Sequence, residues 1–300
     1  MKKIRVRIPA TTTNLGSGFD CLGLALSLYN TVELEVGDGK TTVTVKGEGE
    51  EELHKPESNW VLLGIRKLYQ KIGKHCPTLH LTLINKIPFS RGLGSSAAAY
   101  LGGLVSANLL SGKKLSNEEI LELAVDREGH PDNVIPAYTG GLVISCRTKE
   151  KTLWIKCEKP KIPKMLVIIP DLPMGTSESR RILPKKVPFE DAVHNLTRTA
   201  LLVGALNENR WDLLRNAMED KLHQQYRDTK HKLFARSITA AYKAGALGAA
   251  MSGSGSSILA FVPNKNTKVG PVIQRIFAEQ KIPVRILPLK VDNRGLTVLS

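Results

Sequence analysis

The chain has 300 residues, 42% of them hydrophobic, and a formal net charge of +15. This length suits one large domain or two modest ones, and the apolar content supports a buried core. The longest apolar runs, such as residues 165–169, are far too short to span a bilayer. The positive charge raises nucleic acid as a partner, but the Lys and Arg residues are scattered and no nucleic-acid-binding motif stands out, so we expect no nucleic-acid or membrane partner.

The N-terminus alternates charged residues with Ile4, Val6 and Ile8. This pattern predicts a β-strand, and it lacks the apolar core of about 7–15 residues that a signal peptide needs. The four cysteines, at positions 21, 76, 146 and 157, form no C-x-x-C pair. We therefore expect a reduced, cytoplasmic protein with buried thiols.

Hydrophobic periodicity predicts several elements in the first half of the chain. The expected strands cover residues 32–36, 43–45 and 79–83, and residues 141–146 and 154–157 read as a hairpin. One helix is expected from a cap at Ser58 through residue 72. A second helix follows a glycine-rich loop and ends at about Leu110, and a third runs from Asn117 to about Arg127. Ser116 and Glu119 have the spacing of a capping box for the last of these helices.

Six prolines lie between residues 159 and 188, and we place a domain boundary between residues 160 and 161. Beyond it, helical patterns cover residues 190–206, 211–225 and 231–244. Strands at 258–262 and 284–289 flank a helix that runs to about residue 279. Helices mixed with few strands predict an α+β second half.

A glycine-rich stretch is the most informative motif in the chain. It reads Pro88-Phe89-Ser90-Arg91-Gly92-Leu93-Gly94-Ser95-Ser96-Ala97-Ala98. Glycines let the backbone approach a ligand closely, and good helix formers follow them. The start of a helix offers unpaired N–H groups and the positive end of its dipole, so this stretch predicts a phosphate site and hence a nucleotide.

Other interpretations of the loop are possible. Gly92-x-Gly94-x-x-Ala97 fits a permissive dinucleotide-binding pattern, but Pro88 separates it from the preceding strand, and a capping box stands where that fold needs an acidic residue. The G-x-x-x-x-G-K-[ST] pattern of a P-loop does not occur. A glycine turn before a buried helix, without any ligand, stays open from the loop alone.

Three stretches in order resemble the motifs of the GHMP kinases: residues 9–20, 88–97 and 248–257. Within that superfamily, N-L-G-x-G-F-D at 14–20 and E-G-H-P-D-N-V at 128–134 resemble the homoserine kinase family. The resemblance implies an α+β, two-domain architecture, with a ribosomal-S5-domain-2-like ATP-binding domain at 1–160 and a ferredoxin-like domain at 161–300. It implies phosphorylation of L-homoserine by ATP in threonine biosynthesis, in a homodimer.

The resemblance also implies roles for single residues on the donor side. Residues 88–98 hold the triphosphate of ATP, and Asn59 contacts adenine. Ser96 and Glu122 hold Mg²⁺, because a carboxylate beside phosphate oxygens suits this ion. Residue type alone leaves Glu122 as a solvated helix residue. We expect Glu118, Glu119 and Glu128 to be solvated.

On the acceptor side, the resemblance assigns the homoserine carboxylate to Arg180 and Arg227, since guanidinium groups bind carboxylates in a bidentate way. It assigns the ammonium to Asp20, further substrate contacts to Asn14 and His130, and the reacting hydroxyl to Asn133 and Thr176. An amide at 133 implies phosphoryl transfer without a strong general base. A mevalonate-type kinase of the same superfamily and a nucleic-acid-binding module are the alternatives.

Overall fold

The structure is a computed structural model that describes residues 3–51, 53, 59–158, 160–228, 232–265 and 268–299. Two sheets with helices packed against them form the molecule, which confirms the mixed α+β class. No helix within these ranges combines the length and the apolar character that crossing a membrane requires.

The first sheet is built mainly from the N-terminal half. Its strands are β1 (Lys3–Asn14), β2 (Gly18–Val36), β3 (Thr42–Gly47), β4 (Leu79–Asn85), β5 (Leu142–Arg147), β6 (Thr152–Lys156) and β11 (Thr297–Leu299). Their order is β11-β1-β2-β4-β3, with β5 on β2 and β6 on β5, and only the β3–β4 pair is parallel among the described residues.

Helices cover this sheet, and one of them is almost wholly buried. The helices are α1 (Trp60–Lys71), α2 (Ser95–Leu110), α3 (Asn117–Glu128) and α4 (Val134–Thr139). Helix α2 is apolar on all sides and packs between α1, α3 and β1, as expected for a core helix. The predicted capping box of α3 is confirmed, because Ser116 and Glu119 each accept the other's backbone N–H.

The remaining elements form the second sheet and its helices. They are β7 (Lys164–Pro170), α5 (Thr176–Arg181), α6 (Phe189–Asn207), a 3₁₀ turn (Trp211–Leu213), α7 (Leu214–Ala217), α8 (Gln224–Arg227), α9 (Leu233–Lys243), β8 (Gly248–Met251), β9 (Ile258–Val262), α10 (Val269–Ala278) and β10 (Val284–Leu289). The sheet has the order β10-β7-β9-β8 and is antiparallel. With α9 and α10 it follows the β-α-β-β-α-β pattern, so the ferredoxin-like expectation is confirmed.

Three expectations need correction. Residues 211–225 are not one helix, because the buried carboxylate of Asp220 accepts the backbone N–H groups of residues 222–224 and forms a turn. Cys76 and Cys146 are exposed, although all four thiols are free as expected. Asn59 caps α1, whereas the predicted cap Ser58 lies outside the described residues.

The two halves of the chain are interleaved at the C-terminus. Strand β11 returns to the first sheet, where Val298 pairs with Val6 of β1. An isolated bridge also joins Val291 to Leu26 of β2. The boundary between residues 160 and 161 stays a prediction, and these contacts hold the end of the chain against the first half.

Candidate active site

A cavity of about 510 Å³ lies where the two halves of the molecule meet. Its walls come from the β1–β2 turn, the glycine-rich loop, the start of α2, the α3–α4 connection, α5, α8 and the loop after β8. Polar and charged side chains from both halves converge on it. A ligand bound here would contact both halves.

The glycine-rich loop enters the cavity at the N-terminus of α2. Gly94 is the N-cap residue with φ +70°, and a Cβ on it would lie 2.1 Å from Thr11 Oγ1. Gly92 has φ +71°, and its Cβ would lie 2.0 Å from the carbonyl oxygen of Ser252. Only glycine fits both the backbone conformation and the space at these two positions. The loop therefore presents backbone N–H groups and the start of a 16-residue helix to the cavity.

The loop after β8, residues 252–257, seats the glycine-rich loop from the other half. Ser252 Oγ donates to the carbonyl of Gly92 at 2.6 Å, and the N–H of Ser257 donates to the carbonyl of Arg91 at 3.1 Å. The side chain of Arg91 does not reach the cavity, which is a correction. It bonds the carbonyl of Pro170 and the carboxylate of Asp171 instead.

An acid–hydroxyl pair lies beside the N-terminus of α2. Ser96 Oγ donates to Glu128 Oε1 at 2.8 Å, and both residues line the cavity. Glu122 lies elsewhere: its carboxylate accepts from Arg147 and from the N–H of Thr152, at 2.7 Å each. Six residues separate the two acids, so they point about 120° apart around α3. The structure therefore places Glu128, rather than Glu122, beside Ser96.

Asn59 lines the cavity, but its amide is already engaged. Its Oδ1 accepts the N–H groups of Val61 and Leu62 at 3.0 and 3.3 Å, and its Nδ2 donates to the carbonyl of Leu53. These bonds fix the start of α1 at the wall of the cavity. A contact with adenine stays a prediction.

A buried polar cluster follows α3. Thr11 Oγ1 donates to Asn133 Oδ1 at 2.7 Å, so the amide of Asn133 directs its Nδ2 away from Thr11. His130 Nδ1 is bonded to the carboxylate of Asp132, and His130 Nε2 has no described partner. Burial lowers the pKa of His130, and the Asp132 carboxylate raises it by more, so the net shift is upward.

The β1–β2 turn leads directly into Asp20, which is one of the acids that line the cavity. Asn14, Leu15 and Asp20 have positive φ values of 68°, 48° and 56°. Such conformations are costly for most residues other than glycine, although Asn and Asp adopt them more readily, and strained backbone often clusters at active sites. Arg180 Nη1 and Nη2 bond the Asp20 carboxylate at 2.9 and 2.6 Å, which forms a bidentate pair across the two halves. Burial lowers the pKa of Arg180, and Asp20 raises it by more.

A second arginine completes this end of the cavity. Arg227 is only 4% exposed, and its Nη1 donates to the carbonyl of Gly253 at 2.9 Å. Both guanidinium groups lie 5.5 Å from the ring of Phe19. Burial and the neighbouring charge of Arg180 lower the pKa of Arg227 to about 10, so it stays a cation at neutral pH. The two guanidinium groups therefore face the same space as the carboxylates of Asp20 and Asp132.

The structure brings most of the expected site residues together. Those that line the cavity are Asn14, Asp20, Asn59, Phe89, Ser90, Gly92, Leu93, Gly94, Ser95, Ser96, His130, Asn133, Thr176, Arg180 and Arg227. Of the described residues, Pro88, Arg91, Ala97, Ala98 and Glu122 were expected in the site but do not line it. Pro88, Ala97 and Ala98 are buried in the packing beneath the loop.

Sequence reasoning missed Glu128, Asp132 and Phe19 as lining residues. A sequence signal could have identified Glu128 and Asp132, because both belong to the stretch 128–134, which includes the predicted site residues His130 and Asn133.

Two family descriptions match the chain. Residues 59–141 match the GHMP kinases N terminal domain, and residues 202–270 match the GHMP kinases C terminal domain. A homoserine kinase of Carboxydothermus hydrogenoformans is 41% identical over 290 residues, covering 97% of this chain and 95% of the relative. A homoserine kinase of Persephonella marina is 39% identical over 296 residues, covering 98% of each chain.

Solved structures show the same similarity. The homoserine kinase from Cytophaga hutchinsonii superposes with a TM-score of 0.87 at 30% identity, covering 100% of this chain and 98% of that one. The mevalonate kinase of L. major, in complex with R-mevalonate, gives a TM-score of 0.71 at 16% identity, covering 98% of this chain and 96% of that one. The second similarity concerns the fold.

Proposed function

The chain belongs to the homoserine kinase family of the GHMP kinases, and from that premise we propose that it transfers the γ-phosphoryl group of ATP to the side-chain hydroxyl of L-homoserine. The product is O-phospho-L-homoserine, an intermediate of threonine biosynthesis. We assign the reaction to the cavity between the two halves. We also propose that the protein is located in the reducing cytoplasm, in line with its free cysteines.

The residues around the start of α2 fit a magnesium–ATP complex. Gly92 and Gly94 let the loop pack closely against Ser252 and Thr11, and the helix N-terminus behind the loop favours the charge of phosphate oxygens. Ser96 and Glu128 offer a hydroxyl and a carboxylate oxygen, which are the hard ligands that Mg²⁺ prefers. Bound magnesium would neutralise charge on the phosphate oxygens. Glu128 replaces Glu122 in this assignment.

The charges at the other end of the cavity carry the choice of acceptor. Asp20, Arg180 and Arg227 together offer one carboxylate and two guanidinium groups. A zwitterion matches this set, because its carboxylate takes the guanidinium groups and its ammonium takes Asp20. The acceptor would divide the existing Asp20–Arg180 pair and replace each partner's lost contact. A ligand with a single charge would leave either Asp20 or Arg180, which are both half-buried, without a partner.

Asp20, His130 and Asp132 bring one ligand atom each within 4.8 Å of one another. This arrangement suits a cation, but the Asp20 carboxylate is bonded to Arg180 and the Asp132 carboxylate is bonded to His130. We assign the cluster to the ammonium of the acceptor, with Asn14 beside it.

Asn133 and Thr176 are the residues that we assign to the reacting hydroxyl. Asn133 Oδ1 accepts from Thr11, and its Nδ2 donates to Asp132 Oδ1 at 3.4 Å, so the second Nδ2 hydrogen is the one that we assign to the acceptor hydroxyl. An amide does not take up a proton at neutral pH, so we propose that no strong base acts and that the transferred phosphoryl group takes the hydroxyl proton. Positioning and electrostatic stabilisation suffice for a loose phosphoryl-transfer transition state.

Substrate analogues test the charge argument. 4-Hydroxybutanoate lacks the ammonium, and 3-amino-1-propanol lacks the carboxylate. We expect kcat/KM to fall at least about a hundredfold for each relative to L-homoserine, since each leaves a charged partner unsatisfied. Product formation is followed by mass spectrometry. A kcat/KM within about threefold of the L-homoserine value for either analogue contradicts the assignment.

A further inference from the structure

A buried histidine lies behind the acceptor end of the cavity, outside the three motifs. His223 is 0% exposed and comes directly before α8, which ends at Arg227. Its Nε2 lies 2.9 Å from the carbonyl oxygen of Gly16, and its Nδ1 lies 3.1 Å from Arg227 Nη1. One imidazole ring therefore contacts both the β1–β2 turn and the second arginine.

These partners define which ring nitrogen carries the proton. A guanidinium group has only donors, so Nδ1 must accept from Arg227. A carbonyl oxygen only accepts, so Nε2 must carry the hydrogen that Gly16 receives. The ring is then neutral with one fixed tautomer. Burial lowers the pKa of His223, the Asp220 carboxylate 3.5 Å from Nε2 raises it, and the charge of Arg227 lowers it, so the net shift is downward and favours this neutral form.

The surroundings hold the ring in one orientation. The Asp220 carboxylate accepts the N–H groups of Leu222, His223 and Gln224 at 2.9, 3.1 and 2.8 Å. Asn195 Nδ2 donates to Asp220 and to the carbonyl of Ser17 in the β1–β2 turn. Phe19 stacks on the imidazole with ring centres 5.2 Å apart.

Given the proposed function, we propose that His223 is a positioning residue that fixes the spacing between the carboxylate-binding and ammonium-binding groups of the acceptor site. It holds Arg227 through Nδ1. Through Nε2 it holds Gly16, in the turn that presents Asp20. The two charges of an α-amino acid are a fixed distance apart, so this spacing selects the acceptor. The ring nitrogens of His223 contact Gly16 and Arg227, and neither of these residues is one that we assign to ATP.

Two amide variants separate the two contacts. In His223→Asn the amide oxygen occupies the position of Nδ1 and can still accept from Arg227. In His223→Gln the amide lies at the position of Nε2 and can still donate to Gly16, but the acceptor for Arg227 is lost. We expect the KM for L-homoserine in His223→Gln to exceed that in His223→Asn about tenfold, the effect of losing one charge-assisted hydrogen bond.

The KM for ATP should stay within about twofold of wild type in both variants. A ratio of the two L-homoserine KM values at or below about threefold overturns the proposal, as does an equal rise in the KM for ATP. Wild-type turnover is the reference. If wild type does not phosphorylate L-homoserine, the proposed function fails. If wild type turns over normally and the two variants have equal KM values for L-homoserine, only the role proposed for His223 fails.

A measurement on wild type tests the position of the ring hydrogen directly. ¹⁵N NMR of the histidine rings reports which nitrogen carries hydrogen, and His223→Asn assigns the signal. We expect His223 at neutral pH to be neutral, with hydrogen on Nε2. Hydrogen on Nδ1 overturns the proposal, because that nitrogen could not then accept from Arg227.

Discussion

Two glutamates on one helix illustrate how single side chains acquire different roles. Glu128 accepts from Ser96 at the cavity, and Glu122 pairs with Arg147 on the other face of α3. We expect Glu128→Gln to raise the Mg²⁺ concentration for half-maximal activity at least about tenfold, because an amide binds this ion more weakly than a carboxylate. Glu122→Gln is the matched control and should leave it within about twofold. Steady-state rates over a magnesium titration measure both, and equal effects would contradict the assignment of Glu128.

Adjacent arginines provide a second matched pair. Arg180 forms the bidentate pair with Asp20, whereas Arg181 is exposed. We expect Arg180→Ala to raise the KM for L-homoserine about tenfold to a hundredfold, with little change in ATP affinity. Arg181→Ala should resemble wild type. Titration calorimetry with a non-hydrolysable ATP analogue checks the second part, and a parallel loss of nucleotide affinity would show that Arg180 is misassigned.

At the scale of elements, the glycine-rich loop has little freedom to change. A Cβ on Gly94 would meet Thr11 Oγ1 at 2.1 Å and Asn133 Oδ1 at 2.8 Å. We expect Gly94→Ala to weaken nucleotide binding at least about tenfold, because the loop must move away from the start of α2.

Gly73 is the control, since it has φ +65° but nothing within 4 Å of a Cβ. Gly73→Ala should cost about 1–2 kcal/mol of stability through its backbone conformation and leave nucleotide affinity unchanged. Thermal unfolding and calorimetry separate the two effects. Equal nucleotide affinities in the two variants would show that crowding at Gly94 is unimportant.

Elements set by local chemistry could be predicted from the sequence. The α3 capping box and the period-two strands depend on neighbouring residues, and the structure contains them. The turn at residues 220–224 could not be predicted, because Asp220 is fixed through Asn195, which lies 25 positions earlier in the chain. Helical periodicity alone predicted one helix over residues 211–225.

The candidate site shows the same division between local and long-range information. Motif spacing predicted the glycine-rich loop and the charged residues at the acceptor end. Glu128 could be chosen over Glu122 only once the packing of α3 against α2 was known. The direction of the Arg91 side chain likewise depends on the position of Asp171. The contact of His223 with Gly16 joins residues 207 positions apart, so no sequence pattern indicated it.

At the scale of the whole molecule, the exposed side of α6 provides a testable surface for the expected homodimer. Phe189, Val193 and Leu196 lie on one face and are 84%, 39% and 70% exposed. Exposed apolar helix faces favour association, and a second copy of this chain is the partner that we propose.

Light scattering should give twice the chain mass of 32.9 kDa for wild type. We expect Leu196→Glu to give the monomer mass, because it places a charge in the apolar face. Lys265→Glu, an acidic change on the exposed loop after β9, should remain dimeric. A wild-type monomer would contradict the homodimer, and a dimeric Leu196→Glu variant would exclude this face as its interface.

Release of ADP, coupled to an indicator reaction and measured with a panel of acceptors, tests the proposed activity most directly. The panel contains L-homoserine, mevalonate, galactose and shikimate at equal concentrations with magnesium and ATP. The charges of Asp20, Arg180 and Arg227 predict turnover with L-homoserine and none above background with the other three. Turnover with another acceptor, and none with L-homoserine, would contradict the account.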